Sequence, residues 1–188
     1  MPQQSITRTI DFSGVESSVI AVVSDTHGRP HPGLFSSVRE VRPSLILHAG
    51  DVGDHRILTE LGSICEVLFV RVNVDPRGPG WSDSMTLHLR LDEEHRLNLL
   101  LLHFAMVDLK LNKMVLSLLR QSPAEIVVFG HSHIPFLGVD GKVTLFNPGS
   151  AGPRRFRLPI TMGLIEISAG RVTFKHLDLQ TGKAWRPR

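Results

Sequence analysis

The chain has 188 residues, of which 41% are hydrophobic and 21% charged, a composition typical of globular proteins that excludes a disordered or fibrous chain. This length is enough for one domain with a sizeable core and too short for two ordinary domains. The formal net charge of +3 indicates mild attraction to phosphate-bearing molecules, and does not by itself indicate a nucleic-acid-binding surface.

The first half of the chain alternates predicted strands with predicted helices. Continuous β-branched and aliphatic runs predict strands buried on both faces at residues 18–24, 44–48 and 66–72. Helical spacing of apolar residues predicts a helix over residues 32–41, and a short helix over 57–62 that ends at a glycine.

The second half is rich in predicted hairpins. Alternating residues from Ser84 onward pair with the apolar run 97–102 across a charged turn, and 126–129 is another buried strand. Asp108 is predicted to cap a helix whose apolar residues continue to Leu119. The dipeptides at 140–141 and 169–170 predict two further hairpins. Together the halves predict two sheets packed face to face with helices outside them.

Polar residues follow five of the predicted buried strands, at the point where each strand ends. In α/β sheets, functional groups gather at the carboxyl ends of strands. The side chains are carboxylates, imidazoles and one amide, with no sulfur, and this set suits Mn²⁺, Fe, Zn²⁺ or Ni²⁺ better than a structural zinc. In chain order the candidate ligands are Asp25, His27, Asp51, Asn73, His103, His131 and His133.

Each of these elements has a simpler explanation when taken alone. Asp25 could cap the following turn, Gly50-Asp51 is a common turn, and His103 could be a hydrogen-bonded core histidine. The pair His131 and His133 is more informative, because two imidazoles held close together disfavour protonation unless a metal or an anion is bound. The occurrence of all five elements at one edge favours a metal site.

This ordered series resembles the motif pattern of the calcineurin-like metallophosphoesterase superfamily, and within it the small YfcE-type phosphodiesterases of bacteria and archaea. Those proteins carry Asn-Pro-Gly-Ser after the last histidines, as residues 147–150 do here. The resemblance extends from about Val19 to Phe174. It implies an α/β fold, a four-layer double β-sandwich flanked by helices, as one domain over residues 1–188 with short ends at 1–16 and 179–188 that could be flexible.

The resemblance also implies roles for the ligands. We expect two divalent ions, with manganese as the first choice and iron, zinc or nickel as alternatives. One of them would be held by Asp25, His27, Asp51 and His133. Asp51 would bridge to a second ion held by Asn73, His103 and His131. The implied reaction is phosphodiester hydrolysis by a hydroxide that the two ions share, with Asp51, Asn73 and His103 as the catalytic residues.

Substrate contacts are expected from residues near these motifs. Arg154, with Arg155 and Arg157 as alternatives, could clamp a phosphate if the loop after the Asn-Pro-Gly-Ser motif folds over the site; otherwise the arginines form a solvated loop. Phe104 stands where the family has glycine and is expected to shape the substrate cleft, although simple strand alternation would place it in the core. Val74 replaces the superfamily histidine that is thought to protonate the leaving group.

The alternative to an enzyme is a protein-binding scaffold, because a retromer subunit resembles this family and also lacks that histidine. Retention of all seven candidate ligands favours the enzyme. The expected partner is a small phosphoester. Nucleic acid is expected only as a substrate, since aromatics are 6% and tyrosine is absent. No segment approaches the length of a membrane span, so a cytoplasmic protein is expected, and a homo-oligomer stays open.

Overall fold

The computed structural model describes residues 5–72 and 82–186. Three helices in this part are α1 (Leu34–Val41), α2 (His55–Gly62) and α3 (Lys113–Gln121). The strands are β1 (Ser5–Asp11), β2 (Ser17–Val23), β3 (Leu45–His48), β4 (Val67–Phe69), β5 (Ser84–Arg90), β6 (Arg96–Leu102), β7 (Met106–Val107), β8 (Lys110–Leu111), β9 (Ile126–Val128), β10 (Phe136–Asp140), β11 (Val143–Asn147), β12 (Thr161–Ser168), β13 (Arg171–Asp178) and β14 (Ala184–Trp185).

The larger strands form two six-stranded sheets. The first sheet has the order β1-β5-β6-β9-β11-β10, and the second has the order β14-β13-β12-β2-β3-β4. Strands β2, β3 and β4 run parallel in the second sheet, and β6, β9 and β11 run parallel in the first. Each sheet therefore has a parallel part whose carboxyl ends can carry a site.

Side chains that alternate along the strands build a core on each face of both sheets. In β2, Ile20 and Val22 pack between the two sheets against residues such as Leu87 of β5. The intervening Ala21 and Val23 face the other way. Because both faces of β2 are covered, the strand is a continuous apolar run and not an alternating one.

Helices cover the two outer faces. Leu34 of α1 and Leu61 of α2 belong to the cluster on the outer face of the second sheet. Val115 of α3 packs against Leu102 on the outer face of the first sheet. The predicted fold class is confirmed, since the layers run helix, sheet, sheet, helix. No helix in the described ranges is long and apolar enough to cross a membrane.

The predicted hairpins are confirmed. Strands β10 and β11 pair in antiparallel fashion around Gly141, and β12 and β13 pair around Ala169 and Gly170, which both have positive φ. The hairpin of β5 and β6 has the predicted partners, with Leu87 opposite Leu99.

The prediction that Asp108 caps a helix is wrong. Asp108 and Leu109 have φ of 49° and 62° and form the tip of the small β7–β8 hairpin. Helix α3 begins after Asn112, whose side chain accepts a hydrogen bond from the Val115 N–H at 2.9 Å. Asn112 Nδ2 also donates to the Phe104 carbonyl at 2.8 Å, and this tertiary contact fixes the start of the helix.

The structure contains a strand that the sequence analysis does not predict. Ser5–Asp11, within the segment considered a short end, pairs in parallel with β5 at the edge of the first sheet. Ile6 and Ile10 pack partly buried against the core between the sheets. At the other end, Ala184–Trp185 pairs with β13.

Candidate metal centre

The candidate ligands lie in loops that follow four strands at one edge of the sandwich. Six of the seven fall in the described residues. The seventh, Asn73, lies outside them, together with its neighbours Val74 and Asp75. The loops after β2 and β3 belong to the second sheet, and those after β6 and β9 belong to the first. In that order they carry Asp25 with His27, Asp51, His103, and His131 with His133.

The backbone is strained at these ligands. Five of the six have φ between 48° and 71°, a region that residues other than glycine rarely adopt: Asp25, His27, Asp51, His131 and His133. Each such residue costs about 1–3 kcal/mol, and strain of this kind clusters at active sites and ligand clamps. Because the backbone strain is concentrated at the candidate ligands, it points to a functional site.

Backbone hydrogen bonds tie together the two loops of the second sheet. The Asp25 N–H donates to the Gly50 carbonyl at 3.0 Å, and the His27 N–H donates to the Asp51 carbonyl at 2.9 Å. Gly50 has φ of 93°, and a Cβ there would lie 2.8 Å from Nδ1 of His103. A glycine is therefore required for its conformation and for the close approach of the histidine.

Further hydrogen bonds join the loops of the first sheet to those of the second. The Gly130 N–H donates to the His103 carbonyl at 3.0 Å, and the His131 N–H donates to Asp25 Oδ2 at 3.1 Å. The Nδ1–H of His103 donates to the Ala49 carbonyl at 2.8 Å. Since a carbonyl can only accept, this bond leaves the Nε2 lone pair of neutral His103 free for a metal.

Side-chain ligand atoms converge in two groups. Asp25, His27 and His133 form one, and Asp25, Asp51 and His103 form the other, with the ligand atoms of each group within 4.8 Å of one another. His133 Nε2 lies 3.3 Å from Asp25 Oδ1, and His103 Nε2 lies 3.4 Å from Asp51 Oδ2. Asp25 belongs to both groups, and Asp51 Oδ2 also lies 3.8 Å from His27 Nε2. Either carboxylate can therefore bridge.

The remaining candidate, His131, lies at the edge of the second group. Its ring meets the His103 ring edge to face, with centroids 5.2 Å apart. His131 is exposed, whereas His103 and His133 are buried. The structure thus brings all six described candidates into one cluster.

One carboxylate oxygen of the cluster has no hydrogen-bond partner in the part of the chain that the structure describes, and imidazole nitrogens converge beside it. Asp25 is completely buried, yet its Oδ1 accepts no well-formed hydrogen bond from the described residues. The Nε2 atoms of His27 and His133 face each other at 3.1 Å. A buried carboxylate beside converging imidazole nitrogens is costly without a counter-charge, so these residues fit a bound divalent cation.

The pKa values of these groups follow from burial and from their neighbours. Burial lowers the pKa of His27 and of His131, which favours the neutral imidazole that a metal requires. Hydrogen bonding to His103 lowers the pKa of Asp51. Burial acts to lower the pKa of His103, but Asp51 and the charge of Asp25 outweigh it and raise the value.

The Asn-Pro-Gly-Ser motif supports the cluster from behind. Asn147 Nδ2 donates to the Gly130 carbonyl at 2.8 Å and to Ser132 Oγ at 3.2 Å, which fixes the loop that carries His131 and His133. Ser150 Oγ donates to the Asp25 carbonyl at 3.0 Å. The motif itself was the sequence signal, although the positioning role was not predicted from it.

A second supporting pair was missed. Thr26 stands between two candidate ligands, and its Oγ1 lies 3.0 Å from Nε2 of the fully buried His48. The Thr26 hydroxyl donates to the Val52 carbonyl at 2.9 Å, so His48 is the donor in the first bond. In the sequence, the one sign of this pair is a histidine at the end of a buried strand.

Arg155 is the arginine that contacts a candidate ligand. Its Nη2 lies 3.2 Å from His27 Nε2, and because a guanidinium can only donate, the imidazole nitrogen accepts. Arg154, the arginine chosen from the sequence, hydrogen bonds with the side chain of Gln180 instead. The loop therefore brings Arg155, and not Arg154, to the ligand cluster.

Phe104 lies beside the cluster and not in the core. Its side chain is 41% exposed, and its ring meets that of His131 with centroids 4.7 Å apart. The ring lines a cavity of about 200 Å³ that His131 also borders. Of the two interpretations of Phe104, this position favours the cleft over the core.

Comparisons with known proteins agree with this arrangement. The sequence model of the calcineurin-like phosphoesterase superfamily domain matches residues 19–170, so the chain belongs to that superfamily, as predicted. A probable metallophosphoesterase of Methanothermobacter thermautotrophicus is 32% identical over 151 residues, which cover 78% of this chain and 84% of the relative.

Two solved structures show the same fold. The phosphoesterase YfcE from E. coli has a TM-score of 0.60 and 20% identity, covering 89% of this chain and 97% of that one. Vps29 from Entamoeba histolytica, in a complex with zinc, has a TM-score of 0.70 and 22% identity, covering 89% and 96%. The superfamily indicates a hydrolase acting on phosphoester bonds, and the clustered ligands indicate a metal site.

Proposed function

We propose that this protein is a metal-dependent phosphodiesterase whose reaction takes place between Asp25, Asp51 and the four clustered histidines. The observation that carries the proposal is Asp25 Oδ1, which is buried without a well-formed hydrogen bond from the described residues and shared by two groups of converging imidazole nitrogens. Asp25 Oδ2 accepts from the His131 N–H, so Oδ1 is the oxygen that a cation could take, and a buried oxygen of this kind is costly without a partner.

Two divalent ions fit the residues. Asp25, His27, Asp51 and His133 would hold one. Asp51, His103 and His131, together with Asn73 from outside the described residues, would hold the other. Oxygen and imidazole ligands without sulfur suit manganese, and also iron, zinc and nickel. When bound, such ions supply a water acidic enough to attack phosphorus near neutral pH and positive charge for the phosphoryl oxygens.

The chain's own groups position the ligands and the substrate. The Ala49 carbonyl fixes the tautomer of His103, and Asp51 lies within reach of imidazoles from both groups. Arg155 donates into the same His27 lone pair that a metal would take, so metal binding would release its guanidinium to hydrogen bond with an anionic phosphoryl oxygen. Arg155 thereby takes the substrate-binding role that the sequence suggested for this loop.

The leaving group receives no proton from position 74, because a valine side chain has none to donate. Esters with acidic leaving groups, such as bis-aryl phosphates, should therefore be the best substrates. A diester also suits the site better than a monoester because the apolar Phe104 lies beside His131 and offers a surface for a second ester group.

The test is hydrolysis of a bis-aryl phosphate by protein treated with a chelator and then supplied with Mn²⁺. Asp51→Asn should lose more than about tenfold in rate, since even residues behind a metal ligand typically contribute 10–100-fold. The matched control is Asp54→Asn in the same loop. Asp54 caps α2 by accepting from the Arg56 N–H at 2.9 Å, and asparagine caps equally well.

The proposal predicts no activity in the chelated protein, recovery with Mn²⁺, and near-normal activity of Asp54→Asn. Full activity after exhaustive chelation, or in Asp51→Asn, would contradict it.

A protein-binding scaffold is the second candidate. The observation in its favour is apolar surface beside the ligand cluster, where Phe104 is 41% and Leu109 83% exposed. The fold similarity to Vps29 is compatible with this role. A protein that binds the metals and hydrolyses no phosphoester would favour the scaffold.

A further inference from the structure

A largely apolar cavity of about 200 Å³ lies next to the candidate metal centre, under the small β7–β8 hairpin. Its apolar walls come from Phe104, Met106, Leu109, Phe129, Ile134 and Phe136. The ionisable residues among its lining are Asp108 and His131.

The cavity is continuous with the ligand cluster through His131. This residue borders the cavity, and its ring meets those of both Phe104 and His103 at 4.7 and 5.2 Å between centroids. A group bound in the cavity would therefore lie within one ring's width of a candidate metal ligand. Such a group can be part of the same molecule as the phosphorus that reacts.

The hairpin above the cavity holds an apolar side chain in an unfavourable conformation. Leu109 has φ of 62° and is 83% exposed, and Asp108 beside it has φ of 49°. A two-residue hairpin turn with both φ values positive normally uses asparagine, aspartate or glycine. Leucine at the second position strains the backbone and gains little burial, so folding stability alone does not explain its presence. Its position on the cavity wall does explain it.

Size and charge define the occupant. A cavity of about 150 Å³ lined by apolar side chains holds one benzene molecule, so the present volume holds one six-membered ring with a small substituent. The only carboxylate among the described lining residues, Asp108, disfavours an anionic occupant. Met106 adds a side chain that adapts to different ring shapes.

We propose that this cavity is the specificity pocket for an uncharged aryl ester group of the substrate, with Leu109 closing over the ring. The assignment rests on the proposed phosphodiesterase function for the identity of the substrate. Stacking on one aromatic side chain is typically equivalent to an about 5- to 150-fold gain in affinity, and the pocket should contribute within this range.

The first arm of the test is independent of metal and of catalysis. Benzyl alcohol is titrated into metal-free protein while the methyl signals of Met106, Leu109 and Ile134 are followed by NMR. The proposal predicts saturable shifts of these methyl groups, and weaker binding of benzoate, which adds a negative charge near Asp108. Methyl signals that do not shift, or an equal affinity for benzoate, would overturn the pocket proposal. The apolar surface would then be better explained as a contact for a protein partner.

The second arm uses phenylphosphonate and methylphosphonate as inhibitors of the metal-loaded protein. The phenyl compound should bind about 5- to 150-fold more tightly. Leu109→Gly removes the side chain that closes over the ring and should lower this ratio without lowering the melting temperature, because glycine accepts a positive φ. The matched control is Ala169→Gly, which relieves a φ of 47° in the β12–β13 turn, away from the cavity, and should leave the ratio intact.

The two proposals fail in different ways. Benzyl alcohol binding without any phosphoester hydrolysis would overturn the phosphodiesterase and leave the aryl pocket in place. Metal-dependent hydrolysis with equal affinities for the two phosphonates would overturn the pocket alone.

Discussion

Acid should destabilise the metal-free protein through His48, a fully buried residue at the end of β3. Its Nε2–H donates to Thr26, and its Nδ1 has no hydrogen-bond partner among the described residues. Burial lowers the pKa of His48 from 6.5 to about 4, although the nearby charge of Asp25 opposes this shift. The folded protein thus holds this imidazole neutral where the unfolded chain would protonate it.

The sign and size of the effect follow from this difference. Below pH 6.5 the unfolded chain binds a proton that the folded protein does not, so the free energy of unfolding falls as the pH falls. One pKa unit corresponds to about 1.4 kcal/mol, so the total loss is about 3 kcal/mol once the pH is below 4. About 2 kcal/mol of this should already be lost at pH 5.

The assay is urea unfolding at pH 7 and pH 5 in the presence of a chelator, for the wild type and for His48→Gln. Glutamine can donate to Thr26 and does not titrate, so its loss between the two pH values should be about 2 kcal/mol smaller. The control His88→Gln replaces an exposed histidine of β5 and should lose as much as the wild type. Equal losses in the wild type and His48→Gln would refute the reasoning.

Three further predictions concern residues around the candidate ligands. Gly50→Ala should destabilise the protein by about 1–3 kcal/mol in urea unfolding, because it combines a positive φ with a Cβ 2.8 Å from His103; an unchanged unfolding midpoint would count against this. Asn147→Ala removes a hydrogen bond to the Gly130 carbonyl and should weaken metal binding by about 10–100-fold, with wild-type affinity in calorimetry as the contrary result. Val74→His, at a position outside the described residues, should accelerate esters with poor leaving groups by up to about 10²–10⁴-fold; the same sensitivity to leaving-group pKa in both proteins would argue against it.

Most of the fold was predictable because its signals are local. Buried strands such as β2 appear as continuous apolar runs, and the turn after β12 contains Gly170, a residue that accepts a positive φ. The strand Ser5–Asp11 was missed because its two isoleucines cover one face of an edge strand, and its partner β5 lies far along the chain. A pairing of this kind has no short-range signature.

The candidate ligands were predictable for a different reason. They follow strand ends, and parallel strands bring their ends to one edge of a sheet, so residues such as Asp25 and His133 meet although they are 108 positions apart. The sequence of a loop does not predict in the same way which of two adjacent side chains points toward the site. Which of Arg154 and Arg155 reaches His27 depends on the loop conformation, and the sequence could not decide it.

The prediction of Asp108 as a helix cap was wrong because aspartate and asparagine are equally good capping residues, so residue type alone does not distinguish Asp108 from Asn112. The choice depends on the contact between Asn112 and the Phe104 carbonyl, which exists only in the folded chain. Asp108 lies instead at the tip of the β7–β8 hairpin, which also places Leu109 over the cavity.

The central claim is that this cluster holds two divalent ions, and native mass spectrometry of the Mn²⁺-loaded protein tests it most directly. We predict a dominant species with two manganese ions per chain, and loss of this species in Asp51→Asn, whose side chain lies within reach of imidazoles from both groups. The control Asp54→Asn should retain both ions. A wild-type chain that binds fewer than two manganese ions, or an Asp51→Asn chain that retains both, would contradict the account.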